Sequence, residues 1–248
     1  MKPFRFFVIL LVMSLTVIQI TSSHAGFGDI LKGVKKAVGV SGGGDLSEDK
    51  IVKGLKEALQ IGTGNAVKMV SKVDGYYKNP KIKIPLPGAV QKVEKLLRGI
   101  GYGEHVDAFE LSMNRAAEQA APEAKAIFWD TIKKMSFADA RKILNGKEDE
   151  ATTYFKEKTQ DRLSERFKPI VHKAMSKVGV TSYYQNLESK VRSLPFTDSL
   201  NLDLDQYVTG GALDGLFLML AEEERKIRQN PTARVTDLLK EVFGKKER

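Results

Sequence analysis

The sequence predicts an all-α protein, and three observations lead to that prediction. Apolar residues recur at the spacing of three and four positions that is typical of amphipathic helices along most of the chain. No stretch alternates apolar and polar residues convincingly with the period of two that a half-buried strand shows. The one strand-like stretch, residues 79–87 (NPKIKIPLP), carries three prolines, which cannot donate to a sheet ladder. We therefore expect a multi-helix globular domain with a short extended Pro-rich connector.

Capping residues and helix breakers set the expected helix boundaries. Ser47 begins a first helix, Gly62 and Gly64 end it, and Asn65 caps a second helix that runs towards residues 76–77. The remaining predicted helices span 89–98, 104–121, 123–135, 137–144, 150–167, 170–178, 182–194, 205–228 and 233–243. Ser136 is the expected N-cap of the 137–144 helix, and Gly146 is its expected end.

Short runs of the chain recur in the same order at nearly constant offsets of 105, 107 and 109 residues. The pairs are 68–73 with 173–178, 73–79 with 180–186, and 122–125 with 231–234. This suggests two related helical halves, 47–135 and 150–243, with Tyr76 and Tyr183 in equivalent places. Chance similarity between short amphipathic helices is the alternative.

The first 25 residues have the pattern of a secretory signal peptide. Lys2 and Arg5 precede an apolar stretch at residues 6–20, and Ser23 and Ala25 supply the small residues that a signal peptidase reads. The alternative is a membrane anchor, but the stretch is shorter than the roughly 20 residues that a spanning helix needs. We expect residues 1–25 to be removed, the protein to be secreted across the inner membrane into the periplasm, and residues 47–244 to form a single helical domain.

The positive charge is concentrated in one part of the chain. Residues 26–100 carry 14 basic and 7 acidic side chains, whereas residues 101–248 carry 24 of each. A local basic excess favours an anionic partner such as a membrane surface or a nucleic acid. The expected export and the lack of a nucleic-acid recognition motif argue against the nucleic acid. Ordinary solubilising charge with no specific partner is an equally open alternative.

The segment 26–46 combines a basic amphipathic stretch with a glycine-rich linker. Its apolar arc is formed by Phe27, Ile30, Leu31, Val34 and Val38. The basic side is formed by Lys32, Lys35 and Lys36. Such a segment is typical of a helix that lies in a membrane interface, which would place the protein peripheral to an anionic membrane surface. Packing of the same arc on the protein's own domain is an equally open alternative.

The residues needed for common catalytic chemistry are scarce. The chain has 0 cysteines and 3 histidines, which excludes thiolate metal sites and a catalytic thiol. There is no HExxH motif, no Gly-x-Ser-x-Gly elbow and no phosphate-binding loop of the Walker type. We predict no catalytic residue, no metal site and no cofactor.

Acidic and amide side chains on two helices are the least ordinary feature. Glu223 projects from the apolar face of the 205–228 helix and therefore needs a partner, for which Arg115 and Arg234 are candidates. The helical spacing pairs Glu224 with Arg228 and Glu222 with Lys226. A polar ridge on the 104–121 helix is formed by Asp107, Glu110, Asn114 and Glu118. The candidate site comprises Asn114, Arg115, Glu118, Glu223, Glu224, Arg228 and Arg234. It is either a polar pocket for a small ligand or cation, or a buried ion-pair network that fixes helix register.

Several runs resemble those of a known protein family. They are GLKEAL at 54–59, DGYYKNP at 74–80, IKIPLP at 82–87, NRAAE at 114–118, ATTYF at 151–155, DGLF at 214–217, AEEE at 221–224 and NPTAR at 230–234. The chain resembles, over nearly all of residues 47–244, an uncharacterised family of exported all-helical bacterial proteins known only as a domain of unknown function. The resemblance implies an envelope location and brings no activity, cofactor or site residue.

Three functions follow as expectations. The first is a non-enzymatic interaction or envelope-associated protein, whose protein partner the sequence does not specify. The second is a carrier of a small apolar or lipid ligand between its helices. The third is a carboxylate-based enzyme, with Glu223 and Glu118 as its plausible acids.

Overall fold

The computed structural model describes residues 48–177, 189 and 203–229. Within these residues the backbone forms α-helices and one 3₁₀ turn and no strand, so the prediction of an all-α fold is confirmed. The helices are α1 (Glu48–Ser71), α2 (Gly88–Gly99), α3 (Gly103–Ala120), α4 (Ala124–Lys134), α5 (Phe137–Asn145), α6 (Glu150–Lys177) and α7 (Leu204–Gln229).

The long helices α1, α3, α6 and α7 surround a continuous hydrophobic core. Helix α6 packs along both α7 and α3, α1 packs on α7 and α4, and α2 packs against α3. Fully buried aromatic rings fill the centre, and those of Phe128 and Phe155 meet edge to face with centroids 5.1 Å apart. The helices are therefore held by one shared core.

Helix α1 corrects the predicted break at residues 62–65. It runs unbroken through Gly62 and Gly64, and Asn65 lies inside it. Gly62 faces α7, where an added Cβ would lie 3.5 Å from Cδ1 of Ile227. Glycine costs a helix interior about 1 kcal/mol relative to alanine, which the packing of α1 on α7 and α4 offsets.

Helix α6 corrects a second predicted break, between residues 167 and 170. It continues through Pro169, although proline removes one helical hydrogen bond. Pro169 lies on the exposed side, while Phe167 and Val171 are buried on the core side. Burial of these flanking side chains keeps the helix continuous.

The other boundaries lie within a few residues of the predictions. Of the predicted extended stretch 79–87, residues 83–87 are extended, as their prolines predict, whereas residues 80–82 form a turn. We call the whole segment 72–87, which joins α1 to α2, the connector. The Ser136 hydroxyl accepts a hydrogen bond from the amide of Asp139, whose carboxylate accepts one from the amide of Ser136, so the expected N-cap is a full capping box. Gly146 follows the last residue of α5.

Some predictions fall outside the described residues. They are the signal peptide, the basic segment 26–46, the helix at 233–243 and, apart from Ser189, the helix at 182–194. Tyr183 is also outside, so the duplication of two halves stays a prediction. Among the described helices, none is long and apolar enough to cross a membrane.

Candidate functional site

The polar ridge of α3 binds the chain segment that joins α1 to α2. Oδ1 of Asn114 accepts a hydrogen bond from the amide of Ile84 at 2.8 Å, and Nδ2 donates to the carbonyl of Ile84 at 2.9 Å. The Asn114 side chain thus pairs with the extended backbone as a neighbouring strand would. Because Asn114 is fully buried, both of its polar atoms need these partners.

Glu118 holds the same segment one helical turn further along α3. Its Oε1 accepts hydrogen bonds from the amides of Tyr76 and Tyr77 at 3.0 and 3.3 Å, and its Oε2 lies 2.6 Å from Nη1 of Arg115. Nη2 of Arg115 lies 2.5 Å from Oδ1 of Asp74, a residue with a left-handed φ of 65°. Arg115 therefore bridges the ridge to the turn that follows α1.

The charges of this bridge stabilise one another. Hydrogen bonds from Lys78 and from Arg115 lower the pKa of Asp74. The hydrogen bond to Glu118 raises the pKa of Arg115, and the one to Asp74 adds to this effect. Both groups are thus held in their charged forms.

Two further ion pairs extend the ridge towards the start of α3. Nζ of Lys83 lies 2.7 Å from Oε2 of Glu110, and Nη2 of Arg98 in α2 lies 2.6 Å from Oδ1 of Asp107. The ridge predicted from sequence is thus real, but its four polar side chains contact the protein's own connector and α2. It is not an open pocket.

Tyr76 anchors the connector to α7. Its ring is fully buried, and its hydroxyl donates to the carbonyl of Ala212 at 2.6 Å. Burial raises the pKa of Tyr76, with smaller contributions from the negative charges of Glu118 and Asp214. Tyr77 is only partly buried, and Nζ of Lys83 lies 4.9 Å from the centre of its ring.

Glu224 joins the ends of two other helices. Its carboxylate accepts hydrogen bonds from the amides of Ala151 and Thr152 in the first turn of α6 at 2.9 and 2.8 Å, and from the Thr152 hydroxyl at 2.9 Å. A carboxylate at a helix N-terminus satisfies free amides and complements the helix dipole. The predicted pair with Arg228 is present at 2.8 Å, and Arg228 also donates to the carbonyl of Ile143 at the end of α5.

Glu223 is buried and contacts an amide side chain of another helix, as a carboxylate on an apolar face requires, but the candidate partner Arg115 does not contact it. Its Oε2 accepts from the side-chain amide of Asn65 in α1 at 3.0 Å, and its Oε1 lies 2.6 Å from Nζ of Lys226. The assignment of Arg115 as its partner is wrong because that guanidinium binds Asp74 and Glu118 instead.

Two related expectations have different outcomes. The predicted pairing of Glu222 with Lys226 is also wrong, since Glu222 lies 2.5 Å from Nζ of Lys81 and Lys226 binds Glu223. Arg234 lies outside the described residues.

The candidate residues that the structure describes thus form two separate clusters, and Glu223 bonds to α1 apart from both. Asn114, Arg115 and Glu118 bind the connector, whereas Glu224 and Arg228 join α5, α6 and α7. The sequence did not identify Asn65 as the partner of Glu223, because an asparagine after two glycines is typical of a helix cap. It missed Thr152 because nothing local marks a partner that lies 72 positions away.

The cavity beside Glu224 is small. It lies among α1, α5, α6 and α7, and its volume is about 20 Å³. The lining includes Leu55, Leu59, Ile143, Leu220 and Ile227. This is room for about one water molecule.

The part of the chain that the structure describes holds no cluster of side chains that could bind a metal ion. No cluster of three or more His, Cys, Asp or Glu side chains occurs there with a geometry that could hold an ion. His172 is exposed, and its Nδ1 lies 2.8 Å from Oδ2 of Asp205.

The fold and these clusters define a class of protein: an all-α domain whose buried acids and amides bind its own backbone and fix its helices. The chain belongs to the family described as "Protein of unknown function (DUF4197)", whose model matches residues 45–244. The resemblance to a family known only as a domain of unknown function is thereby confirmed. No curated protein and no solved structure matches the chain.

Proposed function

We propose that this protein is exported to the periplasm and works there as a non-enzymatic interaction protein of the cell envelope, in contact with an anionic membrane surface. One observation carries the non-enzymatic part: each carboxylate considered for chemistry is bonded to the chain itself. Glu118 and Glu224 accept backbone amides and pair with arginines, and Glu223 pairs with Asn65 and Lys226. A general acid or base must instead reach a proton of the substrate.

Export is supported by the sequence ahead of the domain. Residues 1–25 have the three regions of a signal peptide, and the family match begins at residue 45, beyond both this stretch and the amphipathic residues 26–38. The test is fractionation of a Gram-negative host that expresses the full chain or a chain lacking residues 2–25. We expect osmotic shock to release the full chain with Gly26 as its new N-terminus, and the deletion to stay in the cytoplasm. An intact N-terminus on cytoplasmic protein contradicts export.

Membrane contact is supported by the basic excess of residues 26–100 and by the amphipathic pattern of residues 26–38. Each lysine near an anionic surface contributes about 1 kcal/mol, so attachment should be reversible and sensitive to salt. The test is flotation of the chain 26–248 with vesicles of phosphatidylglycerol or of phosphatidylcholine. We expect flotation only with the anionic vesicles at low salt. No flotation with either vesicle contradicts membrane contact.

A carrier of a small apolar ligand is the second candidate, because the cavity among α1, α5, α6 and α7 has an apolar lining. Sites for drug-sized ligands enclose roughly 300–1,000 Å³. A cavity of about 20 Å³ would have to open widely to hold one. Native mass spectrometry of protein purified from its own envelope separates the two candidates: a bound lipid at full occupancy favours the carrier, and the bare chain favours the interaction protein.

A further inference from the structure

Helix α2 carries two exposed apolar side chains at its C-terminal end. Leu96 is 47% exposed and Ile100, the residue that follows the helix, is 51% exposed. They lie one helical turn apart, about 40° around the helix axis. The adjoining side of α2, about 100–120° from Leu96 around the axis, buries Val90 and Leu97 in the core. The exposed pair therefore contributes little to the packing of α2 on α3.

Two lysines lie beside this apolar pair. Lys92 and Lys95 are exposed, and neither makes an ion pair with any residue that the structure describes. Glu94, the one acid of α2, lies about 160° from Leu96 and is paired with Arg98. The next acid along the chain is Glu104 in the first turn of α3. We call Lys92, Lys95, Leu96 and Ile100 the α2 patch.

The lysines of the α2 patch differ from most of the other basic residues nearby, although exposed Lys72 also lacks an ion pair among the described residues. Residues 72–100 carry seven basic and two acidic side chains. Lys78, Lys81, Lys83 and Arg98 are bonded to carboxylates of the protein. The charges of Lys92 and Lys95 are thus available to an external anion, next to the two exposed apolar side chains.

Ile100 lies exposed in the turn after α2. Gly99 precedes it, and Gly101 follows with a left-handed φ of 89°. A Cβ added to either glycine would meet no atom within 4 Å. Neither residue adjacent to Ile100 has a side chain that could shield it, so the Ile100 side chain is accessible to a bilayer surface.

We propose that the α2 patch is a membrane-contact site, with Leu96 and Ile100 entering the interface of an anionic bilayer and Lys92 and Lys95 meeting lipid phosphates. This rests on the membrane contact proposed above and assigns it a surface within the folded domain. A second copy of the chain is a poorer occupant, because a two-fold interface would place these unpaired lysines against their own counterparts. An anionic lipid surface complements both parts of the patch.

A fluorescent label tests the position of Ile100. The chain has no cysteine, so Ile100→Cys and, as a control on exposed α6, Lys156→Cys can each carry one environment-sensitive dye. In the chain 26–248, we expect the dye at position 100 to shift to shorter wavelength with phosphatidylglycerol vesicles and not with phosphatidylcholine. The dye at position 156 should not shift.

Charge reversal tests the lysines. We expect Lys92→Glu with Lys95→Glu to lower partitioning into phosphatidylglycerol vesicles by about 30-fold or more, at about 1 kcal/mol for each lysine and 1.36 kcal/mol for each tenfold change. The matched control is Lys156→Glu with Lys173→Glu, which makes the same change in charge on α6. An equal loss in both variants indicates attraction by net charge alone and overturns the proposal.

The remaining outcomes separate this inference from the proposed function. If the chain floats with anionic vesicles but the dye at position 100 does not respond, the α2 patch is not the contact, while membrane attachment stands. If nothing floats, both fail. A dye shift that needs no vesicles and grows with protein concentration shows that a second copy covers the patch, and it overturns the proposal.

Discussion

Oε1 of Glu118 lies 3.0 Å from the backbone nitrogen of Tyr76 and accepts its hydrogen bond. This bond joins the last turn of α3 to the turn after α1, and the Tyr76 side chain continues the connection to α7 through its hydroxyl. One carboxylate thereby links three parts of the fold. An acid that is only 4% exposed is tolerated because amides and a guanidinium surround it.

Replacement of Glu118 by alanine should destabilise the protein by about 3 kcal/mol. The change leaves the amides of Tyr76 and Tyr77 without an acceptor and breaks a pair whose other partner, Arg115, is partly buried. Urea denaturation followed by circular dichroism measures the loss. Gln119→Ala, at the exposed neighbouring position, is the control and should change stability by less than about 0.5 kcal/mol. Equal midpoints for Glu118→Ala and wild type would show that the bond contributes nothing.

Replacement of the two neighbouring glutamates of α7 by alanine should lower the stability of the protein by very different amounts. Glu224→Ala removes the acceptor of two α6 amides and breaks the pair with Arg228, whose side chain is only 12% exposed, so we expect a loss of about 3–5 kcal/mol. Glu223→Ala leaves partners that can turn to water, because Asn65 and Lys226 are exposed, and should cost about 1 kcal/mol or less. Thermal unfolding of the two variants side by side measures the difference. Similar losses would mean that the α6 cap is not the main role of Glu224.

Low pH should reduce the stability that the capping box at the N-terminus of α5 contributes. Hydrogen bonds from the hydroxyl and amide of Ser136 lower the pKa of Asp139 in the folded protein. A carboxyl whose folded pKa is lowered adds stability above its unfolded pKa of about 4, and this contribution is lost as the pH falls through the folded value. Urea midpoints measured from about pH 6 to pH 2 should therefore fall less steeply for Asp139→Asn than for wild type. Parallel curves for the two proteins contradict this prediction.

Local patterns in the sequence predicted the features that depend only on neighbouring residues, such as helix caps and ion pairs within one helix. Ser136 caps α5 because a serine before an apolar helical run can bond the free amides, and Glu224 pairs with Arg228 because four residues make one helical turn. The connector stayed out of a sheet because proline lacks an amide hydrogen. These features need no knowledge of distant contacts.

The features that the sequence did not predict depend on contacts between residues far apart in the chain. Asp74 binds Arg115 from 41 positions away, and Glu224 caps a helix that begins more than 70 positions before it. No periodicity in the chain marks either partner. Pro169 carries a strong breaker signal, yet burial of the flanking side chains outweighs the propensity of one residue. The sequence marks acids and amides on helices as groups that need partners, whereas the partners themselves depend on how the helices pack.

Two glycines of α7 should respond in opposite directions to the same substitution. A Cβ at Gly215 would lie 2.6 Å from Cε1 of Tyr76 and 3.0 Å from Cβ of Ile82, both buried. The fully buried ring cannot move aside because its hydroxyl is bonded to Ala212. Gly215→Ala should therefore cost about 1–3 kcal/mol through overpacking.

Gly210, five positions earlier in the same helix, is the matched control. A Cβ there would meet nothing within 4 Å, so Gly210→Ala should stabilise the protein by about 0.4–1 kcal/mol through the better helix propensity of alanine and a less flexible unfolded chain. Urea midpoints on either side of the wild-type value are the expected result. If Gly215→Ala is also stabilising, the connector is not pressed against α7, and the anchoring role of Tyr76 is wrong.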